Sequence, residues 1–309
     1  FMIDICVKNE IDKIETVLLG IGDDFGDIPN LNSCYDPKSK EHVIAGTFPK
    51  QEDINVEINN LLEVFNKYNI NVIRPKNLKG LNQIFVRDIC FVIDNKLIIP
   101  NIIDNRKNEQ LALNDLKNNI GIENIIYMPE ETYIEGGDII LHNEYIFIGY
   151  SKKSDFNKFL VARTNLEAVK FIEKTFPNKK IFAFELHKSD EKAQDNILHL
   201  DCCFQPIGNN KAIIFKDGFK NLDDFNFLKN IFGKKNIIEI NRSEMYNMNA
   251  NIFSISDDII VSDKSFVRLN KELVKNGFKV EEIDFREVAK MEGLLRCSTM
   301  PLKRRSCHK

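Results

Sequence analysis

The stretch Phe91-Val92-Ile93-Asp94-Asn95-Lys96-Leu97-Ile98-Ile99 reads as a β-hairpin, two apolar runs joined through an Asp-Asn turn. A helical stretch around residues 108–119 follows, with Leu111, Leu113 and Leu116 as its apolar positions. Ile125-Ile126-Tyr127 then reads as a strand, stopped by Pro129. Hairpin, helix and strand together make a unit too small to bury its own apolar face. If it recurs, the recurrence defines the fold.

It does recur. Ile139-Ile140-Leu141, a turn at Asn143 and residues 145–149 form a second hairpin. Thr164 with Glu167 three residues on reads as a capping box. The helix it opens carries Leu166, Val169, Phe171, Ile172 and Phe176, and a strand at 181–186 follows. A third hairpin spans 199–207 and 212–215 around Gly208-Asn209-Asn210; its helix holds Phe225, Leu228, Ile231 and Phe232, and its strand is 237–240. The fourth uses 252–255 and 259–261 around Asp257-Asp258, a helix with Leu269 and Leu273, and a strand ending near Ile283. A fifth copy needs the chain ends joined. The segment after Cys297 would pair with residues 17–21, completed by a helix with Ile58, Leu61, Leu62 and Phe65 and a strand at 71–73. The expectation is an α/β fold, a pseudo-fivefold α/β propeller of five ββαβ-type units. It would form one domain over residues 1–305, with a short tail at 306–309.

Composition narrows the function. Among 309 residues, 43 basic and 46 acidic side chains leave a net charge of −3, which offers no nucleic-acid surface. The run Lys303-Arg304-Arg305 reads as solvated. No apolar run reaches the roughly 18 residues a membrane span needs, and the first residues lack a signal-peptide core. Seven irregularly spaced cysteines do not resemble a disulfide framework, and no C-x-x-C pair suggests zinc. A cytoplasmic location fits best. The oligomeric state stays open, a homo-oligomer included.

Four segments place polar groups inside apolar strands: Asn82-Gln83-Ile84-Phe85-Val86-Arg87-Asp88, Glu135-Gly136-Gly137-Asp138, His199-Leu200-Asp201-Cys202-Cys203 and Arg296-Cys297-Ser298-Thr299. Paired glycines permit either close backbone approach or a bulge that needs φ > 0. Strand alternation would put His199, Asp201 and Cys203 on one face. A metal held by His199 and the two cysteines is disfavoured, because adjacent cysteines point to opposite faces. Cys297, between an arginine and hydroxyls, would have a lowered pKa. Together these segments supply a thiol, an imidazole and carboxylates, the parts of nucleophilic catalysis with an acid/base group. The carboxylates also suit a planar, cationic guanidinium.

Taken in order, Asn-x4-Arg-Asp, Glu-Gly-Gly-Asp, Ile-Gly-x-Ser, Arg-Thr-Asn, His-Leu-Asp and Arg-Cys-x-x-Met-Pro-Leu resemble the guanidino-group modifying (pentein) superfamily. Arginine deiminases are the most similar members and amidinotransferases the next. The resemblance implies that Cys297 is the nucleophile, that His199 is the acid/base group and that Glu135 orients His199. It implies that Asp88 and Asp201 grip the guanidinium, and it makes Asn82, Arg163 and Arg296 candidates for the substrate's carboxylate end. It implies no metal and no cofactor. The implied reaction turns L-arginine into citrulline and ammonia. Transfer of the amidino group to an amine, hydrolysis through to ornithine, and an inactive binding scaffold are the alternatives. The chain departs from the pattern in three ways. Only Gly293 remains of a glycine-rich run before the cysteine, residues 152–162 separate Ile-Gly-x-Ser from Arg-Thr-Asn, and the chain looks too short for the helical insertion of arginine deiminases.

Overall fold

The computed structural model describes residues 2–305; the tail Ser306-Cys307-His308-Lys309 lies outside the described residues. Five three-stranded sheets carry the fold, each an antiparallel pair with a third strand parallel to one member. One sheet joins the ends of the described chain. Strand β1 (Ile14–Leu19) runs parallel to β2 (Asn71–Ile73) and antiparallel to the last strand, Thr299–Arg304. The other four follow in sequence. They are β3 (Phe91–Ile93), β4 (Lys96–Ile99) and β5 (Ile125–Tyr127); β6 (Ile139–His142), β7 (Tyr145–Tyr150) and β8 (Lys180–Glu185); β9 (Phe204–Ile207), β10 (Lys211–Ile214) and β11 (Ile237–Glu239); and β12 (Phe253–Ser254), β13 (Ile259–Asp263) and β14 (Lys279–Ile283). This is the pseudo-fivefold α/β arrangement read from the repeats.

The turns explain why the hairpins close there. Asp94, Asn143, Asn209 and Asn210 all take positive φ, between +49° and +58°, a region that Asn and Asp tolerate best among residues with a side chain. The longest helix, Gln51–Lys67, buries Ile54, Ile58, Leu61 and Phe65, spaced to form one stripe. Full burial of each such side chain stabilises by roughly 1.5–3 kcal/mol. Among the described residues no helix is long and apolar enough to cross a membrane.

Several local expectations are corrected. The stretch 108–119 is a tight turn, Lys107–Leu113, followed by a short helix, Asn114–Asn118, and Leu111 is exposed. Gln110 donates to the carbonyls of Ile89 and Pro100 and Glu109 accepts from Arg106, so side chains tie the segment inward. Thr164 does not cap the next helix. Its hydroxyl donates to Asp138, 2.6 Å away, and the cap passes to Asn165, which accepts from the Ala168 N–H. Arg304 is not solvated: it is buried, and its guanidinium donates to the carbonyls of Asp12 and Ser254. Cys6 is disulfide-bonded, while Cys34, Cys90, Cys202, Cys203 and Cys297 are free buried thiols.

Candidate active site

Each unit ends its approach to its first strand in a short non-strand segment, and those segments carry the polar groups. Asp88 lies in the turn Val86–Ile89 ahead of β3, and Glu135 precedes the turn Gly136–Asp138 ahead of β6. His199 and Asp201 lie at the turn Leu200–Cys202 ahead of β9, and Cys297 lies just ahead of Thr299–Arg304. The expected strand alternation of His199, Asp201 and Cys203 therefore fails, because the strand begins only at Phe204. Equivalent places in a pseudo-symmetric repeat bring residues 88, 135, 199, 201 and 297 together across the sequence.

Paired glycines make one of these approaches possible. Neither Gly136 nor Gly137 has positive φ, so the bulge reading is corrected in favour of close approach. A Cβ on Gly136 would lie 2.0 Å from the Arg87 carbonyl oxygen, and one on Gly137 2.6 Å from Nδ1 of His199. The imidazole packs directly on this backbone.

His199 is fully buried, with Nε2 2.7 Å from Glu135 Oε2 and Nδ1 3.7 Å from Asp88 Oδ1. Burial opposes its positive charge. Asp88 and then Glu135 outweigh that effect and push its pKa up to about 9. Burial would likewise raise Glu135, but Arg163 and Arg106 beside it hold its carboxyl far below the usual range. Arg106 Nη1 donates to Asp88 Oδ2 at 2.9 Å and to Glu135 Oε2 at 3.2 Å, and Arg106 also holds Glu109. Asp88 Oδ1 and His199 Nδ1 are buried polar atoms without a hydrogen-bond partner.

Cys297 Sγ lies 3.8 Å from Asp201 Oδ2 and accepts from Asn251 Nδ2 at 3.2 Å. Its pKa is not lowered. Burial first, then the Asp201 and Asp88 carboxylates, push the thiol well above its usual value. The expectation failed because neighbours in sequence are not neighbours in charge. The Arg296 guanidinium is engaged by Asp201 at 2.8 Å, by Glu10 at 3.0 Å and by the Ile139 carbonyl at 2.7 Å.

Residues 152–162 run from the end of β7 to Arg163. The Ser151 N–H donates to the Thr164 carbonyl at 2.9 Å, closing the neck of the loop, and Arg163 Nη1 reaches both Glu135 oxygens at 3.0 and 2.8 Å. Its Nη2 donates to the Tyr35 carbonyl, and the Tyr35 ring covers both Arg163 and Arg106 at 5.6 and 5.9 Å. Tyr35 also lines a cavity of about 240 Å³, together with Asn82, Asp36, Phe85, Glu109 and Met291 among others. Asn82 thus lines the cavity, while Cys297, His199, Glu135, Asp201 and Asp88 do not, and are at most 3% exposed.

Sequence reading missed Arg106, Glu10, Tyr35 and Asn251. The first three lie outside the hairpin, helix and strand segments read from the repeats. Asn251 ends the approach to β12, the place in the fourth unit that holds a functional group in the others. The repeat itself was the available signal. Asp88, Glu135 and His199 each present a ligand atom within 4.8 Å of the others, a spacing that suits a cation. Two guanidinium groups already bound to Glu135 oppose one there.

Residues 48–304 match the family model described as "N,N dimethylarginine dimethylhydrolase, eukaryotic". The protein YkgA of Bacillus subtilis (strain 168) is 29% identical over 271 residues, 85% of this chain and 87% of that protein. The fold is shared with SxtG, an amidinotransferase from Microseira wollei (TM-score 0.74, 17% identity, 97% of each chain). It is also shared with the N-terminal domain of ArgZ, an arginine dihydrolase from Cyanobacteria (TM-score 0.77, 18% identity, 95% of this chain and 98% of that one). By the match over residues 48–304, the chain belongs to the N,N dimethylarginine dimethylhydrolase family, within the guanidino-group modifying pentein superfamily.

Proposed function

We propose that the chain is a cysteine hydrolase that replaces an amino group on the guanidinium carbon of an arginine-type amino acid with water. One observation carries the reading: buried Asp88 Oδ1 and His199 Nδ1 face each other at 3.7 Å without a hydrogen bond, and the charge of the same Asp88 reaches a thiol that Asp201 flanks. A guanidinium laid between Asp88 and Asp201 would satisfy the carboxylates, and its positive charge would lower the thiol pKa where burial had raised it. Cys297 would lose its proton to solvent as the cation docks, then bond to the central carbon. The C–N bond breaks as His199 gives its proton to the departing nitrogen, leaving an amidino-thioether cation. The neutral imidazole next takes a proton from water as its oxygen bonds to the carbon. The C–S bond breaks as the hydroxyl proton of the adduct is lost to solvent, and citrulline and the thiolate result.

Asn82, which lines the cavity, is left for the carboxylate end of the substrate, and Arg163, whose guanidinium is taken up by Glu135 and by the Leu160 and Tyr35 carbonyls, holds Glu135. We give Arg296 to the holding of Asp201, since its guanidinium is already occupied. L-Arginine, releasing ammonia, is the first reading. The family match favours a second, in which the departing nitrogen is methylated and an alkylamine leaves.

Incubation with L-arginine and with Nω,Nω-dimethyl-L-arginine, each with and without glycine, tests both when products are identified by mass spectrometry. The expected result is citrulline independent of glycine, abolished by Cys297→Ala. Guanidinoacetate formed only with glycine would make the chain a transferase. If neither guanidine is consumed, the substrate class is wrong.

A further inference from the structure

We infer that Asn251 is a positioning residue for Cys297, the contribution of the fourth unit to the reaction, and that its amide N–H supports the thiolate. The inference rests on the nucleophile reading above and adds a residue to it. Asn251 is fully buried at the end of the approach to β12, and its side chain touches the nucleophile turn three times. Its Oδ1 accepts from the Arg296 N–H at 3.0 Å and from the Cys297 N–H at 3.1 Å, and its Nδ2 donates to Cys297 Sγ at 3.2 Å. The Arg296 N–H also donates to the Asn251 carbonyl, at 3.3 Å. The orientation of the amide follows from this network. Two backbone donors require oxygen on their side, so nitrogen must face sulfur.

This arrangement answers two needs. The turn ahead of Cys297 keeps only Gly293 of a glycine-rich run, and Gly293 itself packs on the Phe85 ring, so backbone plasticity is limited. A side chain that clamps both amides holds the sulfur where the carboxylates place the substrate. The thiol is also crowded by negative charge from Asp201 and Asp88. Asn251 Nδ2 is the N–H that donates to Sγ, and a donor of that kind favours the charged form.

The test reads the thiolate itself. Its ultraviolet absorbance is titrated against pH in the full chain, with the spectrum of Cys297→Ala subtracted, for the parent, Asn251→Asp and Asn251→Ala. Asn251→Asp is isosteric and keeps an acceptor for both amides, but it trades the donor for a carboxylate. We expect its midpoint to rise by about one pH unit or more, a tenfold loss of thiolate at a given pH, with the thermal midpoint close to the parent's. Asn251→Ala should raise the titration less, because it adds no charge, and should lower thermal stability more, because two buried amides lose their acceptor. An unchanged titration in both folded variants would overturn the inference. Guanidine turnover by the parent is assayed alongside. Parent turnover with unshifted titrations removes Asn251 alone, whereas shifted titrations without turnover remove the proposed substrate and leave Asn251 in place.

Discussion

Asp88 acts on two groups in opposite directions, which makes it the most informative single residue to change. Its Oδ1, which makes no hydrogen bond, is the docking point we propose for a guanidinium, yet its charge raises the pKa of Cys297. Asp88→Asn should lower kcat/KM by roughly 10- to 100-fold, the size of one lost hydrogen bond between charged partners. In the same variant the resting thiol should ionise more readily, so alkylation of Cys297 by iodoacetamide without substrate should speed up at neutral pH. Loss of turnover with slower alkylation would mean that Asp88 only supports the structure. At this scale the sequence was partly legible. Cys297, His199, Glu135, Asp88 and Asp201 stood out as polar groups among apolar ones, and the structure gathers them in one buried cluster. Their electrostatics were not legible, because Glu10, Arg106 and Asn251 reach the cluster from distant segments.

Among elements, the turn Gly136–Asp138 sets how closely the second unit approaches the imidazole of the third. The Asp138 carboxylate accepts from the Leu200 N–H at 2.9 Å and from the Thr164 hydroxyl at 2.6 Å, so the turn is tied to both neighbours. Gly137→Ala would place a methyl group 2.6 Å from Nδ1 and 2.9 Å from Cβ of His199, and the ring must shift because its own Cβ is crowded. We expect a stability loss of about 1–3 kcal/mol, as for other overpacked sites. We also expect a fall in kcat of at least about tenfold with little change in KM, since the proposed proton donor moves while the carboxylates proposed to dock the substrate stay. Steady-state kinetics and a thermal melt on the same sample check this; a parallel fall in kcat and rise in KM would mean that the whole cluster had moved. The paired glycines marked the place in the sequence. The reason for them did not show there, because close approach is a property of two segments and φ a property of one.

For the whole molecule, the burial of so many charges at one centre makes stability depend on pH. The fivefold plan could be read because each hairpin, helix and strand writes the same apolar pattern; the charged centre could not, since it belongs to no single unit. Glu10, which burial would raise but Arg296 and Arg87 pull down to about 2, contributes stability that is complete above its ordinary 4.5 and lost as pH falls toward 2. His199 has the opposite sign. Its pKa of about 9 against an ordinary 6.5 means a contribution complete below 6.5 and lost as pH rises through 9, amounting to about 3 kcal/mol. Glu292, raised to about 8 by burial and by Asp36, also loses its contribution as pH climbs from 4.5 through 8. The thermal midpoint should therefore peak on the acid side of neutrality, fall steeply below pH 4.5, and fall again between pH 6.5 and 9. Calorimetric melts across that range measure it. In Glu135→Gln the alkaline fall should shrink, because His199 loses the partner that holds its proton. An alkaline limb of the same size in that variant would place the loss in Glu292 and its neighbours, and a flat profile from 6.5 to 9 in the parent would show that the imidazole is not charged in the folded chain.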